Sequence, residues 1–309
     1  MVDRPVTRPQ AREVLARLTS LRLNQHQGQR RPHKPLQVLV ALGRLARTGS
    51  SELPWSQARP LLAELIAEFG PPSRTGATQA AAYPFTRLRS DGVWRLSRDV
   101  PMDLVGPLGE DDVVGRLDLV TEDALRHDPE LLRAVARALV GGHFPATVAP
   151  DVLTAAGLDP DEILAGPEGV PPIGGPSARR RDPAWRSAVL RAWDRQCAFC
   201  GFDGQLGAAS VGVDAAHVRW FAFDGPDSPD NGLALCVLHH KLFDRGVLGL
   251  DDSLRVRVSE AFTARTPAGR TVYDLHGRPL RPRPGTVPPA ERHVEWHRRE
   301  VFKGVPLAA

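Results

Sequence analysis

All three cysteines of this 309-residue chain fall into two short pairs of potential metal ligands. Cys197 and Cys200 form the first pair, and Cys236 and His239 form the second, with 35 residues between the pairs. Two intervening residues let both donors of a pair turn toward one ion, and a Cys3His set is typical of a structural zinc site. The pattern therefore predicts a small domain stapled by Zn²⁺, against the alternative that three thiols fell into these positions without binding a metal.

Charge is distributed unevenly along the chain, although the formal net charge is only +4. Residues 1–50 carry +8, residues 51–170 carry −9 and residues 171–309 carry +5. The two basic regions indicate two surfaces that could bind a polyanion, because each Lys or Arg placed on a phosphate releases condensed counterions. Solvated helix faces remain the alternative explanation.

Several other classes of protein are excluded by the composition and patterning. No run approaches the ~20 apolar residues that a transmembrane helix needs, and the start, MVDRPVTRPQ, does not resemble a secretory signal peptide. Three cysteines are too few for the disulfide framework of a secreted domain. We therefore expect a soluble, cytoplasmic protein with no membrane partner.

Helical spacing of apolar residues dominates the first half of the chain. It predicts helices over about 10–21, 32–47 and 51–69, the last of which ends at Gly70 before two prolines. The same spacing returns over 129–140. The N-terminal domain is therefore predicted to be mainly helical.

Residues 83–97 interrupt this helical pattern. Their sequence, YPFTRLRSDGVWRLS, predicts two strands joined by a turn at Asp91 and Gly92. The Gly/Pro-rich stretch 166–183 is typical of a linker, which gives domains 1–165 and 184–309. The predicted fold class is α+β, with a helical N-terminal domain that carries a small β-hairpin, followed by the zinc-stapled domain.

The residues between and after the zinc pairs resemble those of a known family. The segments VGVDAAHVRW and DNGLALCVLHHKLFDRG place His217, Asn231 and His240 in the order found in HNH nucleases, within a CxxC and CxxH zinc clamp. The resemblance covers roughly residues 193–246. It implies a ββα-metal fold, in which a β-hairpin and a helix grip a catalytic metal, and a metal-dependent DNA endonuclease activity.

The same resemblance implies a role for each of the three residues. His217 would be the general base that deprotonates the attacking water, a task that suits an imidazole with a pKa of about 6.5. His240 would hold a single Mg²⁺ or Mn²⁺ against the scissile phosphate. Asn231 would either brace the loop that holds the base or contact the metal. The alternatives are two ordinary core histidines and an asparagine that only forms a turn.

His239 and His240 are adjacent, and the zinc and the catalytic metal each need one histidine ligand. Neighbours on a helix point about 100° apart, so His239 and His240 cannot bind one ion together. The spacing from Cys236 favours His239 as the zinc ligand and leaves His240 for catalysis.

The residue before the base departs from the commoner family pattern, which has a metal-binding aspartate there. This chain has Ala216 at that position. Asp214 could replace the aspartate only through a bulge, because positions three apart on a regular strand face opposite sides. The metal-binding carboxylate is therefore Asp214, Asp230 or neither.

A second resemblance lies in the N-terminal domain. The segments RRPHKPLQVLVAL, AAYPFTRLRSDGVWRL and GGHFPATVAPDVLTAAGL are similar to the sulfur-binding domain of phosphorothioate-dependent, McrA-type restriction endonucleases. The resemblance covers most of residues 1–160. It implies that this domain binds duplex DNA in which sulfur replaces a non-bridging phosphate oxygen.

The chemistry of a phosphorothioate defines the pocket that would select it. Sulfur keeps the charge but is larger, softer and a poorer hydrogen-bond acceptor than oxygen, so the pocket should be apolar inside and cationic at its rim. Tyr83, Pro84 and Phe85 are the apolar candidates, unless they are ordinary core residues. The cationic candidates are Arg30, Arg31, His33, Lys34 and Arg87, and Asn24, Gln25 and Gln27 are candidates for reading bases in the major groove.

Together these features favour a two-domain restriction endonuclease that binds phosphorothioate-modified double-stranded DNA and hydrolyses nearby phosphodiester bonds with one metal ion. One alternative keeps the nuclease but has the first domain read a modified base such as methylcytosine. Another is a DNA-binding module whose HNH unit has decayed, which the missing aspartate before His217 keeps open. A homodimer would cut both strands, although no surface in the sequence indicates one.

Overall fold

The chain divides into two structural units between Ala178 and Arg179 in the computed structural model. This boundary lies within the segment predicted to be the linker, of which residues 166–181 fall outside the described ranges. The structure describes residues 7–23, 31–73, 75–165, 182–207 and 209–308. Within those ranges, no helix combines the length and the apolar character that a bilayer span requires.

The N-terminal unit is built mainly from helices. They are α1 (Arg8–Thr19), α2 (His33–Thr48), α3 (Trp55–Phe69), α4 (Ala77–Arg87), α5 (Gly106–Glu110), α6 (Leu119–His127), α7 (Pro129–His143), α8 (Ala149–Ala155) and α9 (Pro160–Leu164). The strands are β1 (Leu53–Pro54), β2 (Trp94–Leu96) and β3 (Val114–Leu117). The helices predicted from apolar spacing correspond to α1, α2, α3 and α7, so those predictions are confirmed.

Local sequence explains where these helices begin and end. Thr7 caps α1 in a reciprocal capping box with Gln10. The Asp128 side chain accepts a hydrogen bond from the Leu131 N–H at 2.9 Å and so caps α7. Helix α2 ends at Gly49, which adopts the left-handed conformation with φ 74°.

Phe85 lies at the centre of the aromatic core of this unit. Its side chain is fully buried, and its ring centroid lies 5.1 Å from that of Trp55 and 5.8 Å from that of Trp94. The core extends to the apolar faces of α1, α2 and α7. Burial of this continuous apolar surface drives the folding of the unit.

The prediction of a β-hairpin over 83–97 is wrong for the first of its two strands. Helix α4 covers the first five of these residues, and a 3₁₀ turn, Leu88–Asp91, follows it. The alanine-rich sequence before Tyr83 favours a helix, and burial of Phe85 against the core holds the end of that helix in place. Tertiary packing therefore overrides the strand-like aromatic composition.

Strand β2 pairs with β3 instead, in an antiparallel sheet of order β1-β3-β2. Gly115 makes this sheet possible, because a Cβ atom there would lie 2.3 Å from the ring of Trp94. The missing side chain leaves room for the indole, which is buried in the core.

The C-terminal unit contains short strands and helices. The strands are β4 (Gln205–Leu206), β5 (Ala209–Ser210), β6 (Val213–His217), β7 (Gly232–Cys236), β8 (Leu248–Leu250) and β9 (Val256–Val258). The helices are α10 (Pro183–Ala192), α11 (Val237–Asp244), α12 (Pro267–Arg270) and α13 (Glu291–Glu300). Strands β6 and β7 pair antiparallel, and α11 follows at once and packs on both. This arrangement confirms the predicted ββα fold.

Helix α13 supports α11 from outside the hairpin. The ring of His297 stacks on the ring of Phe243 with a centroid distance of 3.8 Å. His297 Nε2 also lies 3.0 Å from the backbone carbonyl oxygen of Phe243. Both side chains are buried. The position of α11 is therefore set by packing on two sides.

Candidate functional site

The four predicted zinc ligands converge at one point of the C-terminal unit. The donor atoms of Cys197, Cys200, Cys236 and His239 all lie within 4.8 Å of one another. His239 Nδ1 lies 3.4 Å from Cys197 Sγ and 3.2 Å from Cys236 Sγ. A tetrahedral zinc ion holds sulfur and nitrogen ligands about 3.5 Å apart. The donor set and its spacing therefore fit a structural Zn²⁺.

A tight turn holds the first pair of ligands. Gly201 has φ 82° and donates its N–H to the Cys197 carbonyl at 2.8 Å. The N–H of Ala198 donates to the carbonyl of Ala234 in β7 at 2.7 Å. These bonds fix the turn against the strand that leads to Cys236, so both ligand pairs share one rigid support.

The closeness of these groups changes their ionisation. Hydrogen bonds from Cys200 and Cys236 lower the pKa of the Cys197 thiol below its ordinary value. Burial lowers the pKa of His239, but hydrogen bonds with Cys197 and Cys200 outweigh it and raise that pKa to about 9. The cluster thus favours a thiolate and a neighbouring positive charge, and a divalent cation would supply that charge.

His217 ends β6 directly opposite Gly232, the first residue of β7. A Cβ atom at Gly232 would lie 2.4 Å from Val189, so the missing side chain allows α10 to pack directly on the strand. This packing places Trp185 over the imidazole of His217, with ring centroids 3.8 Å apart and planes 18° apart. Gly232 and the indole of Trp185 therefore fix the position of His217, the predicted base.

A carboxylate contacts the same imidazole. His217 Nε2 lies 2.7 Å from Asp227 Oδ1, and the two side chains are only 10% and 13% exposed. Asp227 Oδ2 accepts the backbone N–H of Asp182 at 2.8 Å. Sequence reasoning missed Asp227, because it lies ten residues from His217 in an irregular loop where no periodicity links the two.

His240 also contacts a carboxylate. Its Nε2 lies 3.2 Å from Oδ2 of Asp244, one helical turn further along α11. Asp244 Oδ1 accepts the indole N–H of Trp220 at 3.0 Å. Since Trp220 follows His217 by three residues, this bond shows that the end of α11 lies near the end of β6. The i, i+4 spacing on a helix is a signal that could have identified Asp244 as the partner of His240.

Asn231 braces the loop between the two strands. Its Oδ1 accepts the N–H of Arg219 at 2.8 Å, and its Nδ2 donates to the carbonyls of Arg219 and Pro226, each at 3.0 Å. The side chain is fully buried. Of the two roles predicted for Asn231, this geometry fits the bracing of the loop.

The two candidate carboxylates for the catalytic metal have other partners. Asp214 is half exposed and forms an ion pair with Arg186 at 2.5 Å. Asp230 accepts the Ser228 hydroxyl and pairs with Arg292, and these contacts lower its pKa. Asp227 and Asp244 contact the histidines instead.

In the N-terminal unit, the start of α2 is tied to the segment that follows α4. Lys34 Nζ donates to Asp91 Oδ2 at 2.5 Å and to the carbonyl of Arg22 at 3.0 Å. Arg31 and His33 lie half-buried beside it. The remaining candidates of this region, Arg30, Asn24, Gln25 and Gln27, lie outside the described residues.

Tyr83 and Arg87 share one face of α4. The Arg87 guanidinium lies 4.7 Å from the centroid of the Tyr83 ring. Asp103 accepts two hydrogen bonds from Arg87, at 2.7 and 2.5 Å, and thereby raises the pKa of the guanidinium. The two residues after and before this aspartate, Leu104 and Met102, are each 51% exposed. This part of the surface combines an aromatic ring, a fixed cation and exposed apolar side chains.

Pro84 and Phe85 do not share that surface. Both are buried, and Phe85 packs between two tryptophans of the core. That they line the apolar interior of a sulfur-binding pocket stays a prediction.

Two families match the chain. Residues 11–161 match the family described as ScoMcrA-like, DNA sulfur-binding domain. Residues 197–251 match the family described as HNH endonuclease. Among curated proteins, none matches the sequence.

Solved structures also resemble the chain. The sulfur-binding domain of ScoMcrA complexed with phosphorothioated DNA is 23% identical, with a TM-score of 0.42 over 52% of this chain and 99% of that one. The Type IV phosphorothioation-dependent restriction endonuclease ScoMcrA is 24% identical, with a TM-score of 0.39 over 62% of this chain and 34% of that one. The modification-dependent restriction endonuclease TagI is 25% identical, with a TM-score of 0.31 over 38% of this chain and 37% of that one. The matches therefore span about a third of these two endonucleases.

Proposed function

We propose that this chain, which joins a DNA sulfur-binding domain to an HNH endonuclease domain, is a restriction endonuclease for phosphorothioate-modified double-stranded DNA. The observation that carries this proposal is the occurrence of both domains on one chain. The first domain would select the modified linkage, and the second would hydrolyse phosphodiester bonds near it. An enzyme with this task would act in the cytoplasm.

His217 is the general base in this proposal. It is held between Trp185 and Asp227, and an imidazole in that setting can accept a proton from water at neutral pH. Asn231 maintains the loop from which Asp227 projects, through its bonds to Arg219 and Pro226. The chemical requirement is a water made nucleophilic on one side of the phosphorus and a neutralised leaving oxygen on the other.

His240 is the proposed ligand of the catalytic Mg²⁺ or Mn²⁺. Asp244 contacts one ring nitrogen and would orient the other toward the ion, an arrangement common among metal-binding histidines. When bound, a divalent cation would stabilise charge on the phosphate and the leaving oxygen. Asp244 contacts His240, whereas Asp214 pairs with Arg186, so Asp244 is better placed than Asp214 to support the ion.

Tyr83 and Arg87 form the centre of the proposed sulfur-binding surface. The ring offers a polarisable apolar face, and the guanidinium offers the positive charge that a phosphorothioate needs. Arg31, His33 and Lys34 at the start of α2 would complete the cationic rim. Arg30 is proposed for the same rim. Helix α2 packs against α4, which supports one continuous surface.

Digestion of matched duplexes tests this function. One duplex carries a single phosphorothioate and the other is unmodified, and each is incubated with Mg²⁺, Mn²⁺ or EDTA. We expect cleavage of the modified duplex with a divalent cation and none with EDTA. Equal cutting of both duplexes would contradict the reader role, and no cutting in any condition would contradict the nuclease role. The number of strands cut per binding event, compared across protein concentrations, tests the proposed homodimer.

A further inference from the structure

We propose that Asp227 is the positioning residue that orients His217 and fixes which of its ring nitrogens takes a proton from water. This inference rests on the proposed role of His217 as the general base. Asp227 lies in the loop between β6 and β7, ten residues after the base.

The carboxylate of Asp227 is held by two different contacts. One oxygen lies 2.7 Å from His217 Nε2, and the other accepts the backbone N–H of Asp182 at 2.8 Å. Since both oxygens have partners, the carboxylate cannot rotate without losing a hydrogen bond. The side chain is 13% exposed, so solvent competes weakly for these bonds.

Trp185 restricts the orientation of the plane of the His217 imidazole. Its indole stacks on the ring of His217, and its Nε1 donates to the carbonyl of Ser228 at 3.0 Å. Ser228 directly follows Asp227. The indole thus joins the ring of the base to the loop that carries its carboxylate, and it holds the imidazole plane in place.

The chemistry of the pair follows from what a carboxylate can do. An ionised aspartate accepts hydrogen bonds and donates none, so Nε2 carries the hydrogen and the lone pair of the neutral ring is on Nδ1. When water attacks, its O–H bond breaks and the proton goes to Nδ1. The new P–O bond forms, the bond to the leaving sugar oxygen breaks, and that oxygen takes a proton from solvent. Asp227 stabilises the resulting imidazolium, which later returns its proton to solvent.

The other nearby aspartates do not have this geometry. Asp214 forms its ion pair with Arg186 on the exposed side of β6. Asp224 lies in the same loop as Asp227, but it is exposed and adopts a left-handed conformation with φ 60°. Asparagine also tolerates that conformation, which makes Asp224→Asn a matched control with the same loss of charge.

The test compares Asp227→Asn and Asp224→Asn in the full chain. We measure single-turnover cleavage of duplex DNA, DNA affinity, zinc content, and the ring ¹⁵N shifts of His217, assigned by their loss in His217→Ala. Asp227→Asn should cut at least about 100-fold more slowly with unchanged zinc content and DNA affinity, and the His217 ring should lose its Nε2–H preference. Asp224→Asn should match the wild type in all four measurements.

A third variant keeps the inference testable if Asp227→Asn folds poorly. Asp227→Glu retains a carboxylate and should cut at least about ten times faster than Asp227→Asn. Wild-type cutting by Asp227→Asn, an unchanged His217 tautomer in that variant, or equal rates for the two Asp227 variants would each overturn the inference. If the wild type does not cut, or His217→Ala cuts normally, the proposed function itself fails.

Discussion

The N-terminal unit buries a continuous helical core, whereas the C-terminal unit is assembled from short two-stranded sheets around a Cys3His cluster. Apolar burial suffices to hold a domain in the first case. In the second, an apolar core is accompanied by the Cys3His cluster, and a zinc ion bound there would cross-link the segments that carry its four ligands. The two units should therefore respond to different perturbations.

Removal of zinc should have the largest effect and should be confined to the C-terminal unit. Zinc sites of this kind contribute about 10–16 kcal/mol in small domains, more than the stability of most proteins. Strong chelation or Cys197→Ser should therefore unfold this unit while the helical unit stays folded. Limited proteolysis with mass spectrometry measures the two units separately. Survival of both units without zinc would contradict a stabilising role for the metal.

Loss of the proposed general base should slow DNA cleavage without destabilising either unit. His217→Ala removes the proposed general base, so we expect cleavage to fall about 10²–10⁴-fold. The zinc ligands and the N-terminal unit are unchanged, so zinc content and binding of modified DNA should equal those of the wild type. Single-turnover cleavage and a binding titration measure the two effects. Normal cutting by this variant would remove His217 from the mechanism.

Truncation of the aromatic core should destabilise only the N-terminal unit. Phe85 is fully buried, so Phe85→Ala should lower the free energy of unfolding by about 3–5 kcal/mol. Val120→Ala in the same unit is the control, because Val120 is 69% exposed and should change stability by less than about 0.5 kcal/mol. Urea denaturation followed by tryptophan fluorescence measures both. Similar losses for the two variants would contradict the proposed core.

A change in the proposed sulfur-binding surface should have the smallest effect, and it should weaken binding of sulfur-bearing DNA more than binding of unmodified DNA. Tyr83→Ala should weaken binding of sulfur-bearing DNA on the order of tenfold, with a smaller loss on its oxygen counterpart. Tyr83→Phe keeps the ring face and should retain the preference for sulfur. Equal losses on both duplexes with Tyr83→Ala would show that the residue only packs.

The two units also differ in how far the sequence predicts them. Apolar spacing and helix caps predict α1, α2, α3 and α7, because each buries one face against a common core. The same reasoning fails over 83–90, where the aromatic residues indicate a strand but the burial of Phe85 favours a helix. Burial against distant residues is a tertiary effect that local composition does not contain.

In the C-terminal unit, spacing identifies the zinc ligands because one ion imposes short, regular intervals on them. The carboxylate partner of His217 obeys no such interval. Asp227 reaches His217 through an irregular loop that Asn231 holds in shape, and only the folded chain brings the two together. The contact between Asp244 and His240 is predictable from the sequence, because the two residues lie one helical turn apart.

The separation of reading from cutting is tested most directly by one paired measurement on matched duplexes. The preference for phosphorothioate DNA is measured as a binding ratio with His217→Ala, and as a cleavage ratio with the wild type at limiting enzyme. If the N-terminal unit alone selects the substrate, the two ratios should be equal. A strong preference in cleavage with none in binding would contradict this division, because the HNH unit would then be the part that senses sulfur.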